Sequence, residues 1–186
     1  MKKWELKKSD YLIKEKWLKV RANTYVNHND EIVSPYYIFD YPDWVNIVAI
    51  TVDNHLVVNR QYRPGLDQIC LELPSGWVDK GESSLQAARR ELLEETGCHA
   101  QEFIHTGSVS VNPATHNNLN HCYLALGAER IVCQNLDFEE DIENELIPLD
   151  KVRELVAEGK FIQSLHVASI LYASTYLSRN KSMCLI

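Results

Sequence analysis

The stretch LPSGWVDKGESSLQAARRELLEETGCHA, residues 73–100, decides the reading of this chain. Ser83 followed by Gln86 forms a capping box, and Gly97 is placed to end a helix, so the sequence predicts a helix over roughly 83–96. Within it Glu91, Glu94 and Glu95 stand at i, i+3 and i+4, which places three carboxylates on one face. Like charges at that spacing repel, so the face is either solvated or put to use. Leu85, Ala88 and Leu92 form a neighbouring apolar stripe suited to docking on a sheet. Clustered hard oxygen donors suit Mg²⁺ or Mn²⁺.

Outward from this helix the pattern alternates between β and α. Strands are expected over 17–27 and 31–41, then over 45–52 and 55–62, whose VNIVAITV and HLVVNRQY are joined across Asp53-Asn54. A further strand is expected over 65–76, followed after the helix by strands over 103–111 and 120–132. Acidic residues 136–148 read as part loop and part strand, and helices are expected over 149–159 and 162–178. The fold class is therefore α+β. Residues 1–42 are read as an N-terminal antiparallel β extension, 43–180 as the main domain and 181–186 as a tail.

The chain carries a net charge of −7, which argues against a nucleic-acid partner. Its five cysteines show no C-x-x-C spacing, so neither a disulfide framework nor a zinc site is expected. No apolar run is long enough to span a bilayer, and the first residues lack the apolar segment of a secretion signal, so no membrane partner and a cytoplasmic setting are expected.

Gly76, Glu82, Arg90, Glu91, Leu92, Glu94, Glu95, Gly97 and Cys98 follow the spacing G-x5-E-x7-R-E-U-x-E-E-x-G-U. This resembles the signature of the Nudix hydrolases, with Cys98 where the family usually has an aliphatic residue. The resemblance implies a mixed β-sheet sandwiched between α-helices, and hydrolysis of a nucleoside diphosphate linked to another moiety. It implies that Glu91, Glu94 and Glu95 bind metal together with the backbone carbonyl of Ser75. Arg90 pairs with Glu82 to orient the helix, and Glu94 and Arg90 belong to the catalytic machinery.

Residues 56–83 and Pro113, sixteen after Gly97, are similar to the ADP-ribose pyrophosphatase branch of that family. By position, Arg63 then contacts the phosphates or the terminal ribose. Glu140 takes the place of a loop glutamate that activates the water, with Glu139 its close neighbour. Trp17 stacks on adenine, with Tyr36 or Tyr37 opposite from a partner subunit, which implies a homodimer built on residues 10–42. The loop NPATHNNLNH, residues 112–121, departs from the branch. There His116, Asn117 and Asn118 read either as sugar-binding groups or as turn residues. The expected substrate is ADP-ribose or a related nucleoside diphosphate sugar. GDP-mannose is the nearest alternative, and a non-catalytic ADP-ribose sensor a more distant one.

Overall fold

The computed structural model describes residues 2–138, 140–180 and 185, so Glu139 and most of the expected tail lie outside the described residues. The chain folds as two units, Met1–Pro42 with Ser110–Leu119, and Asp43–Val109 with Asn120–Ile186.

The first unit is an antiparallel meander of β1 (Glu5–Lys14), β2 (Lys19–Val26) and β3 (Ile32–Phe39), in that order. The strand β1 was not expected. Its residues are exposed throughout, so no buried face imposes an alternation that the sequence could display; backbone pairing with β2 holds it. Trp17, expected inside a strand, lies in the turn before β2 with Lys16 Nζ 3.8 Å above its ring. Trp4, Tyr25 and Tyr36 pack edge-on or tilted, with centroids 5.7–6.2 Å apart. The 110–119 loop is sewn to this sheet, with the Phe39 N–H donating to the Thr115 carbonyl at 2.7 Å and the Tyr36 hydroxyl to the Ala114 carbonyl at 2.7 Å.

The second unit is built on one mixed sheet. Its strands are β4 (Trp44–Thr51), β5 (His55–Arg63), β6 (Gln68–Glu72), β7 (Ser75–Trp77), β8 (Cys98–His99), β9 (Glu102–Ser110), β10 (Leu119–Arg130) and β11 (Ile142–Pro148). The order is β11-β5-β4-β10-β8; β6 pairs with β5, β7 with β4 and β9 with β10. Only β4 and β10 run parallel among the pairs described. The single strand expected over 65–76 divides at Leu73-Pro74. Proline has no N–H to give a ladder, so β6 leaves β5 there and β7 pairs with β4 instead.

Among the described residues three helices complete the unit: α1 (Ser84–Thr96), α2 (Leu149–Ala157) and α3 (Ser164–Asn180). Strand alternation sorts the core between the two sheet faces. Val45, Ile47, Ala49 and Tyr123 pack with Ala87, Ala88 and Leu92 of α1. Val48, Ile50 and Leu124 pack with Val152 of α2 and Ile170, Ala173 and Leu177 of α3. Each Val, Leu or Ile among them contributes about 1.5–3 kcal/mol on burial. A mixed sheet between helices with antiparallel strands ahead of it is the architecture expected. Because the central strands are covered on both sides, they read as nearly unbroken apolar runs.

Candidate active site

Helix α1 is fixed at both ends by local chemistry. The Ser83 hydroxyl accepts from the Gln86 N–H while the Gln86 side chain accepts from the Ser83 N–H, which completes the capping box. Gly97 ends the helix at φ 69°, and its N–H returns to the Leu93 carbonyl at 2.8 Å. The docking stripe is Ala87, Ala88 and Leu92; Leu85, expected in it, is 37% exposed because it falls at the first turn, short of the sheet's cover. In β7, Gly76 faces α1 so closely that a Cβ would overlap the Glu91 carboxylate. Close approach, rather than an unusual φ, requires this glycine.

The three helix carboxylates share a face but not an environment. Glu91 and Glu95 are 8% and 4% exposed, whereas the Glu94 side chain retains 39% exposure at the rim. Glu95 Oε2 accepts from Asn59 Nδ2 at 2.8 Å and from the Ser75 N–H at 2.9 Å. Burial pushes the Glu91 carboxyl up to about 7, with the charges of Glu94 and Glu140 adding to the effect against Arg90. Glu95 is raised well above the usual carboxylate range, again by burial first, with Glu91 and Glu140 contributing. Two buried carboxyls that resist ionisation, beside further acidic groups, form a pocket of negative potential that a cation would relieve.

In this structure the positive charge comes from Arg90. Its Nε and Nη2 grip Glu82 at 3.1 and 2.9 Å, Nη2 donates to the Trp77 carbonyl at 2.8 Å, and Nη1 reaches Glu91 and Glu94 at 2.7 and 3.0 Å. The expected Arg90–Glu82 pair is present. With Nη1 between Glu91 and Glu94, no three histidine, cysteine or acidic side chains among the described residues converge tightly enough to hold an ion as they stand. The donor chemistry nevertheless fits a hard divalent cation: buried carboxylate oxygens, a glycine making room for one of them, and proton affinities raised by burial beyond what their partners offset.

Glu140 lies close enough to act electrostatically on both Glu91 and Glu95, and its Oε2 accepts from the Asp137 N–H at 3.0 Å. Arg63 forks onto Glu72, with Nε and Nη2 at 2.9 and 2.6 Å from its two oxygens. Burial pushes the Glu72 carboxyl up, but His166 and Arg63 together outweigh this and hold it at about 2. His166 Nε2 lies 3.7 Å from Glu72, within ion-pair reach but beyond a hydrogen bond. Its Nδ1 faces the Leu73 N–H and Asn46 Nδ2, each at 3.3 Å, which assigns the proton to Nε2.

Trp17, Tyr36 and Pro113 belong to the first unit and not to the unit that carries the carboxylates. Of the two tyrosines, Tyr36 is held by Ala114 and its ring neighbours, and Tyr37 is the exposed one. In the PATHNN loop, Asn117 bonds Asp40 and the Tyr41 N–H, Asn118 bonds the Pro42 carbonyl, and His116 stacks with Phe39 and Tyr41. These are structural roles, the turn-residue alternative of the two.

Sequence reading missed the residues that hold Glu95 from behind. Asn144 Nδ2 bonds Asn59 Oδ1 at 2.9 Å and the Glu95 carbonyl at 3.1 Å, and Gln134 Nε2 bonds that carbonyl at 2.6 Å. It missed Glu72 and His166 as well. The available signal was polar residues, Asn46 and Asn59, inside otherwise apolar strands, where asparagine is disfavoured unless it has a partner.

A sequence profile of the NUDIX domain matches residues 41–165. The methanol dehydrogenase activator of Bacillus methanolicus is 30% identical over 136 residues, 73% of this chain and 74% of its own. The ADP-ribose pyrophosphatase of Bacillus subtilis (strain 168) is 28% identical over 149 residues, 78% of this chain and 77% of its own. ADP compounds hydrolase NudE of Escherichia coli (strain K12) is 30% identical over 141 residues, 72% of this chain and 70% of its own. A crystal structure of an ADP compounds hydrolase matches with a TM-score of 0.86 at 22% identity, covering 98% of both chains, a likeness of fold. The profile match spans the helix, its glycine-flanked carboxylates and the sheet beneath them, and the chain belongs to the Nudix family.

Proposed function

We propose that this protein hydrolyses the diphosphate bond of ADP-ribose or a closely related ADP-linked compound, giving AMP and a sugar phosphate. The observation that carries the reading is the pair of buried, proton-retaining carboxyls Glu91 and Glu95 against Gly76 and Ser75. The named substrates of two relatives, ADP-ribose and ADP compounds, point to the nucleotide.

Nudix hydrolases act with a divalent cation, here Mg²⁺ or Mn²⁺, and Glu91, Glu94, Glu95 and the Ser75 carbonyl are the groups that would hold it. When bound, such a cation offsets diphosphate charge and acidifies water. Arg90 keeps α1 against β7 through Glu82 and Trp77. Arg63, with Nε and Nη2 on Glu72, is left with Nη1 to meet a phosphate oxygen. Glu140 accepts the proton of the attacking water as the new P–O bond forms and the bridging P–O bond breaks. Trp17 stacks on the base, and Tyr36 and Pro113 belong to the surface that receives the nucleotide.

A homodimer through residues 10–42 completes the reading. Tyr11, Leu12, Ile13, Ile32 and Tyr37 leave large apolar side chains exposed on a three-stranded sheet, which a second copy would cover. Light scattering at micromolar concentration should return twice the chain mass of 21.4 kDa. No described helix is long and apolar enough to cross a membrane, and the net charge of −7 argues against a nucleic-acid partner.

The test is phosphate release, after a coupled phosphatase, from ADP-ribose, GDP-mannose, other nucleoside diphosphate sugars and NADH. ADP-ribose should give the highest kcat/KM with Mg²⁺ or Mn²⁺. A higher value for GDP-mannose would move the assignment to the alternative substrate class. Hydrolysis of none of them with either cation would remove the enzymatic reading.

A further inference from the structure

A second cluster of titratable side chains lies within the second unit, on strands that carry none of the Nudix glutamates. Ser108 Oγ on β9 sits 3.0 Å from His105 Nε2 and 2.9 Å from His121 Nδ1, so two imidazole nitrogens converge on one oxygen. His121 Nε2 lies 3.0 Å from Asp43 Oδ2, just before β4. A carboxylate at that nitrogen draws the proton to Nε2 and leaves Nδ1 as a bare lone pair. The backbone of Gly107 also acts on the His105 ring. A single hydroxyl thus stands between two imidazole nitrogens, one of them a lone pair held in place by Asp43.

We propose that His105 Nε2, His121 Nδ1 and Ser108 Oγ form a binding site for a borderline transition-metal cation of the Zn²⁺, Co²⁺ or Ni²⁺ class, distinct from the carboxylate cluster of α1. Imidazole nitrogen selects such metals, whereas Mg²⁺ prefers oxygen. Bonds of about 2.1 Å at a tetrahedral angle put two histidine ring centroids about 5 Å apart. The observed separation is 5.9 Å, a small side-chain rotation from that value. Asp43 supplies the carboxylate–histidine support that raises ligand basicity. Burial and the neighbouring His121 lower the pKa of His105, which favours its neutral form. His105 and Ser108 are exposed, which gives the ion and its remaining water ligands access. The two sites would sort cations by hardness within one chain. The inference does not rest on the hydrolase reading.

The experiment is equilibrium dialysis of Zn²⁺ against the full-length protein in excess Mg²⁺, with Co²⁺ absorption as a second readout. Nitrogen-ligated tetrahedral Co²⁺ gives strong visible bands that an all-oxygen site does not. Wild type should take up one equivalent of Zn²⁺ and show those bands, and a Glu91→Gln/Glu95→Gln variant should do the same. His105→Gln and His121→Gln should each weaken binding at least tenfold and abolish the bands. Asp43→Asn should weaken it by about 10- to 100-fold. His105 is exposed, so its substitution leaves the fold intact, which a melting curve verifies. No Zn²⁺ uptake by wild type in excess Mg²⁺, or uptake unchanged in both histidine variants, would overturn the proposal.

Discussion

Replacing Glu91 with glutamine separates the folding role of this side chain from its chemical one. The folded protein retains the Glu91 proton up to a pH of about 7, against 4.5 for an ordinary glutamate. Between those values the native state binds more protons than the unfolded chain, so stability falls as pH rises through this window and is fully present only below it. Ionising a carboxyl displaced that far costs the cation-free native state about 3 kcal/mol. Glutamine matches the shape of the protonated acid and escapes this cost. In a chelator at pH 8, Glu91→Gln should therefore melt about 6–10 °C above wild type, given a few degrees per kcal/mol at this chain size. At pH 4.5 the two should melt together. Hydrolysis with Mg²⁺ should meanwhile fall at least tenfold, the equivalent of about 1.4 kcal/mol of barrier. Paired melting curves at the two pH values, with turnover measured on the same preparations, test both halves. A variant that melts at or below wild type at pH 8 would refute the account of Glu91 as a buried carboxyl that Arg90 only partly compensates.

Glu72→Gln should act in the opposite sense: Glu72 is held at about 2, so its stabilisation is present above about 4.5 and lost as pH falls towards 2. Leaving Arg63 without its carboxylate should cost about 3 kcal/mol at pH 7, read by denaturant unfolding, and should raise KM. Gly76→Ala forces a methyl into the Glu91 carboxylate, so activity should drop about 100-fold or more and cation affinity should weaken while circular dichroism stays native. Trp17→Ala should raise KM for ADP-ribose by roughly 5- to 100-fold with little change in kcat, as loss of one stacked base predicts. An unchanged KM there would place base recognition elsewhere.

What the sequence determined by itself was local. The capping box at Ser83, the stop at Gly97 and the shared face of Glu91, Glu94 and Glu95 all follow from helical geometry over a few residues, and they are present as read. The apolar runs of β4 and β5 announced strands because burial on both faces leaves little room for polar residues. By contrast, β1 has no buried face and left no pattern to find. Tertiary structure decided which carboxylates lose their water. One helical face carries Glu91, Glu94 and Glu95, yet β7 and the Asn59 side chain enclose the first and last and leave Glu94 at the rim. It likewise decided the partners of Glu72, since Arg63 and His166 reach that carboxylate from a neighbouring strand and from a helix 94 residues further on. No spacing rule links such positions. Asn117 and Asn118 read equally well as sugar ligands until Asp40 and Pro42, more than 70 residues earlier, were seen to take their amides. Residue types set which hydrogen bonds and charges must be satisfied; packing of distant segments chooses the partner and, through desolvation, the proton affinity that chemistry uses.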